Sequence, residues 1–235
     1  MLTATARVTV WRTLFEELGI PSDGTVLLVG PPEESFAEMP AIPVLPGGHG
    51  MAVLGPPLDR RIPDDATAVA TGLDDDAVDA VFMLSAWGDP ALMGQVAREA
   101  VRITRPGGTV VLGDVDAAVL TESSPAAYRA ALLYETYPWV GDRIRDAHAH
   151  EAMLGIELLR AGIHPVQADQ RDLPMGYFDD ADAYEAAVAR GLWPGVLLLD
   201  EADRGRLLAE LRRSLVDARF PVADVQPWML AHGRK

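Results

Sequence analysis

Residues Asp79 to Asp116 read DAVFMLSAWGDPALMGQVAREAVRITRPGGTVVLGDVD, and this stretch decides the fold. Asp79 to Leu84 is an almost unbroken apolar run too short for a buried helix, as expected of a parallel strand covered on both faces. Asp89 is placed to cap a following helix, and Pro90 sits at its first position, where a missing N–H costs nothing. Within that helix Leu92, Met93, Val96, Ala97, Ala100, Val101 and Thr104 recur at helical spacing, while Gln95, Arg98, Glu99 and Arg102 take the opposite face. Arg102 and Arg105 suit the negative end of the helix dipole, and Pro106-Gly107-Gly108 stops the helix and turns the chain into a strand over Thr109 to Leu112. The unit is βαβ.

The order DAVFMLSAW…DP…REAVRITRPGGTVVLGDVD resembles the fourth and fifth strands of class I S-adenosylmethionine-dependent methyltransferases, above all the small-molecule branch with its R-PGG turn. Further on, ELLRAGIHPVQAD resembles the helix and sixth strand that close this family's sheet, and Gln226 to His232 (QPWMLAH) its antiparallel last strand. The resemblance implies an α/β fold: a doubly wound, Rossmann-like, seven-stranded and mostly parallel sheet with helices on both faces.

Upstream the pattern breaks. Ala4 to Leu18 reads as an amphipathic helix closed by Gly19 and Pro21, and Thr25 to Val29 as the first strand, with Gly30 at the place of the cofactor turn. The resembled family ends that strand in an acidic residue and follows it with a turn of glycines. Aligned on Gly30, this chain has Leu28 in place of the acid, Pro32 at the second glycine and Glu34 at the third. Eight of the eighteen prolines lie between Pro31 and Pro63, which leaves little room for the next helix beyond Glu33 to Glu38. Ile42 to Leu45 or Met51 to Leu54 supplies the second strand. Neither ends in the acid that would hold the ribose hydroxyls, and Asp59 is the nearest candidate. Thr67 to Ala70 reads as a third strand.

At 235 residues the chain suits a single domain over 1–235, with a helical insertion at about 175–218 before the last strand. In that insertion Asp180 to Arg190 ends at Gly191, and Asp200 to Ala218 carries Leu207, Leu208, Leu211, Leu215 and Val216 on one stripe. Such a stripe near a sheet edge often meets a second copy, so a homodimer is expected. The net charge of −15 repels phosphate backbones, and nucleic acid is not an expected partner. No apolar run approaches the roughly 20 residues of a membrane span, and no signal peptide is read at the start. The chain has no Cys, which fits a cytoplasmic protein.

Ligands of open α/β sheets sit outside the carboxyl ends of the strands, so Gly30, Ser85, Trp87 and Asp114 are expected to line the main cleft, Trp87 as a flat apolar wall. Tyr128, His148 and His150 are candidate general bases, weighed against the two histidines being ordinary helix-start residues. Two apart on a helix, they do not share a face for a metal. Asp74-Asp75-Asp76 reads as a turn rather than a metal site, and no metal is expected. The glycine-rich run Pro46 to Gly50 reads as a plain turn, with no Lys or Ser/Thr after it to make a phosphate loop. Three functions remain open: a binding or partner protein on a methyltransferase-like scaffold whose S-adenosylmethionine site is degenerate, an active methyltransferase of a small molecule with a rebuilt cofactor loop, and an enzyme of other chemistry reusing the pocket.

Overall fold

The computed structural model of the chain describes residues 13–30, 50–54, 66–86, 90–148 and 151–235. Its strands are β1 (Val26–Gly30), β2 (Gly50–Leu54), β3 (Val78–Leu84), β4 (Thr104–Val115), β5 (Val166–Phe178) and β6 (Val222–Arg234). They form one sheet in the order β2-β1-β3-β4-β6-β5. Every residue of β1 is buried, and β3 is buried at all but Asp79. Continuous apolar runs thus became central strands covered on both faces.

The sheet is mixed rather than mostly parallel, and among the described residues it has six strands rather than seven. β1 and β4 flank β3 in parallel, whereas β2 runs antiparallel to β1, and β6 runs antiparallel to both β4 and β5. Thr67 to Ala70 is not a strand. Its ends bridge to each other through Thr67 N–H to Ala70 O and Ala70 N–H to Thr67 O, both at 3.0 Å, so its backbone groups are satisfied inside one tight turn.

The Pro106-Gly107-Gly108 turn is a bulge within β4. Val78 pairs Thr104 and Ala80 pairs Thr109, so the intervening residues loop out of register. Gly107 adopts φ +79°, and a Cβ on Gly108 would stand 2.6 Å from the Asp79 carbonyl oxygen. Only glycine fits there.

The helices are α1 (Met93–Ile103), α2 (Ala117–Glu122), α3 (Ala131–Thr136), α4 (Pro138–Ala147), α5 (Glu151–Arg160), α6 (Ala181–Arg190) and α7 (Glu201–Ser214), and residues 13–17 are also helical. One sheet face carries Val81, Met83, Val110 and Leu112 under α1 and Leu154 and Leu158 of α5. On the other, Val26, Leu28, Phe82, Leu84, Val111 and Val115 pack with Leu14, Leu18, Leu120, Leu133, Trp193, Leu207 and Leu211. Alternation along each strand divides these two cores.

One reading needs correction. Glu99, assigned to the solvent face of α1, is buried, because residues 66–77 fold over that flank. Residues 126–137 are α-helical only over α3, and Pro138 opens α4, since proline is tolerated in a first turn. Of the leucine stripe, Leu207, Leu211 and Leu215 are buried inside the chain, Leu208 is partly buried and Val216 is exposed. Among the described residues no helix is long and apolar enough to cross a membrane.

Candidate functional site

Because β1, β3 and β4 are parallel, their carboxyl ends share one edge of the sheet, and Gly30, Ser85 and Asp114 lie there. Ser85 follows β3 directly and adopts φ +46°, a left-handed conformation uncommon for a side chain with a Cβ. Its N–H is fixed on the Gly113 carbonyl at 2.7 Å. That turn brings the Ser85 hydroxyl 2.5 Å from Asp114 Oδ1. The Asp114 side chain is 1% exposed, and the same oxygen accepts the Val115 N–H at 2.9 Å. A third group reaches it from the end of α4, where His148 Nδ1 lies 2.7 Å away.

His148 caps the carboxyl end of α4 rather than opening a helix, with its N–H on Ile144 O at 3.0 Å. A carboxylate can only accept, so with Asp114 as partner the Nδ1 of His148 carries the hydrogen and Nε2 holds the lone pair. Among the described residues Nε2 has no hydrogen-bond partner, and the side chain is 19% exposed. A buried carboxylate orienting an accessible imidazole is the arrangement of a general base and its support.

Tyr128 lies elsewhere on this edge. Its hydroxyl donates to Asp172 Oδ1 of β5 at 2.8 Å, and burial, with that hydrogen bond and the charges of Asp172 and Asp116, pushes the phenol up to about 12. At neutral pH it is a proton donor and not a base. Asp116 caps α2 by accepting the Val119 N–H at 3.0 Å. Trp87 and His150 fall outside the described residues, as do Pro32, Glu34 and the run from Pro46 to His49. Sequence reading singled out Asp114 and His148 separately. Their pairing spans 34 positions and carries no local signal.

The resemblance implies an acid at the end of β1 and another at the carboxyl end of the second strand. Leu28 fills the first position and is 1% exposed in the core. The second is displaced by strand direction: Gly30 pairs Gly50 while Val26 pairs Leu54, so β2 ends at the opposite edge. Among the described residues no three His, Asp or Glu converge on a metal position. In the acidic run, Asp75 pairs with Arg102 and Asp76 with Lys235, each at 2.6 Å.

No protein-family model and no curated protein matches the chain. Solved structures similar to it include several proteins named as methyltransferases and the [4+2]-cyclase SpnF. A protein of Anabaena variabilis named as a methyltransferase of an antibiotic biosynthesis pathway is 17% identical, over 72% of this chain and 71% of that one, with a TM-score of 0.49. The Haemonchus contortus phosphoethanolamine N-methyltransferase 2, in complex with phosphomonomethylethanolamine and S-adenosylhomocysteine, is 10% identical over 72% of this chain and 36% of its own length (TM-score 0.34). A Galdieria sulphuraria protein named as a sarcosine dimethylglycine methyltransferase is 13% identical over 72% and 57% (TM-score 0.36).

Proposed function

We propose that the chain is a small-molecule-binding protein on a methyltransferase-like scaffold whose ordinary S-adenosylmethionine site is degenerate, with its ligand taken at the edge that holds Gly30, Ser85 and Asp114. The antiparallel run of β2 carries this reading, because it moves the carboxyl end of that strand away from the site. Leu28 adds an apolar side chain where an acid is needed, Pro32 has no N–H to donate, and Glu34 brings bulk and negative charge to a glycine position. The lack of Cys supports a cytoplasmic setting.

Each polar interaction lost from a cofactor site costs about 1–3 kcal/mol. Losing two weakens an affinity that starts near micromolar to a Kd between tens of micromolar and tens of millimolar. Calorimetric titration with S-adenosylmethionine tests this. Weak or undetectable heat at millimolar ligand is expected, and a Kd below about ten micromolar overturns the degenerate reading in favour of an active methyltransferase.

A further inference from the structure

We propose that the Ser85–Asp114–His148 cluster is a cofactor-independent proton-transfer centre, with His148 as the base that interconverts the enol and keto forms of a small neutral carbonyl compound. The inference rests on the ligand site proposed above and adds chemistry to it. It stands on geometry: Asp114 Oδ1 holds His148 Nδ1 at 2.7 Å, leaving Nε2 without a hydrogen-bond partner among the described residues on a side chain that is 19% exposed. Ser85, held in a left-handed turn, and the Val115 N–H fix the same oxygen at 2.5 and 2.9 Å.

The chemistry selects the substrate class. An unassisted imidazole takes protons most readily from acids nearest its own strength, such as enols, phenols and carbons between two carbonyls. A neutral substrate is favoured because the buried Asp114 lies directly behind the base and the chain carries a net −15. In the step, the enol O–H breaks and its proton goes to Nε2. The oxygen pair forms C=O as the C=C pair takes a proton back from the imidazolium at carbon. Atoms and charge balance with no donor beyond the substrate. Asp114 is the positioning residue: it stabilises the imidazolium through Nδ1–H and fixes the tautomer.

The test uses the full chain and 2,4-pentanedione in D2O, following hydrogen–deuterium exchange at C3 by NMR without S-adenosylmethionine. The wild-type chain should exceed an equal concentration of free imidazole, and His148→Gln should lower the protein-dependent rate by about a hundredfold. Thermal unfolding checks that the variant folds. A second measurement needs no variant at His148: 15N spectra of the wild-type chain should show the Nδ1–H tautomer, moving toward Nε2–H in Asp114→Asn. Exchange no faster than free imidazole, or an Nε2–H tautomer in the wild type, overturns the proposal. Tight S-adenosylmethionine binding would refute the degenerate-site reading and leave these two results to decide the proton-transfer centre by themselves.

Discussion

The Glu99 carboxylate accepts four hydrogen bonds: from the Thr71 N–H (2.7 Å) and hydroxyl (2.6 Å), and from Nε and NH2 of Arg102 (both 2.8 Å). Burial alone would push this carboxyl up, but the bonds from Arg102 and Thr71 prevail and hold it below its ordinary value of 4.5. A carboxyl depressed by folding stabilises the native state above its unfolded pKa, and that contribution is lost as pH falls through the folded one. Glu99→Gln should therefore lower stability at neutral pH by about 1–3 kcal/mol. It should also flatten the acid limb of the stability curve below about pH 4.5. Urea midpoints for both proteins from neutral to acidic pH measure this, and an unchanged acid limb would show that other carboxylates dominate. Helical spacing alone sends Glu99 to solvent, because nothing in α1 records that Thr71 will fold over it.

At the scale of elements, a buried carboxyl ties the insertion to the sheet alongside the apolar contacts of Trp193, Leu207 and Leu211. Asp224 of β6 is fully buried and accepts the Tyr184 hydroxyl of α6, the Trp193 Nε1–H at 3.1 Å and the Gln226 Nε2–H at 3.0 Å. Tyr184 also stacks on Phe178 with ring centroids 4.8 Å apart. Burial pushes the Asp224 carboxyl up despite these donors. A carboxyl raised by folding erodes stability as pH rises from its unfolded pKa through the folded one. Asp224→Ala strands two buried donors, Tyr184 and Trp193, and should cost about 2–6 kcal/mol. Asp224→Asn keeps an acceptor and removes the buried charge, so it should stay within about 1 kcal/mol of wild type at neutral pH. Denaturation followed by Trp fluorescence separates the two, and equal losses in both variants would mean that the charge itself is required. The helices of this insertion were legible in sequence: Asp180 and Asp200 cap α6 and α7, and Gly191 ends α6 at φ +117°. Their anchor was not, since Tyr184 and Asp224 stand 40 positions apart.

For the whole molecule, 35 acidic against 20 basic side chains leave a net −15 that repels itself in the folded state. Raising ionic strength from about 0.01 to 0.15 M shortens the Debye length from about 30 to 8 Å. The Tm should rise by a few degrees as that repulsion is screened, and a fall on scanning calorimetry would show that exposed pairs such as Arg105–Asp79 (2.8 Å) outweigh it. Local information determined the α/β class, the central strands β1, β3 and β4, the helix between the last two and the capped helices of the insertion. Apolar runs, helical periodicity, capping residues and glycines act within a few neighbours of one another, so they are written in the order of residues. Tertiary structure decided the direction of β2, the failure of Thr67 to Ala70 to join the sheet, the burial of Glu99 and Asp224, and the meeting of Ser85 with Asp114 and His148. Strand direction and side-chain pairing depend on segments far apart in sequence competing for the same backbone groups and the same buried space, and no stretch read by itself contains that competition.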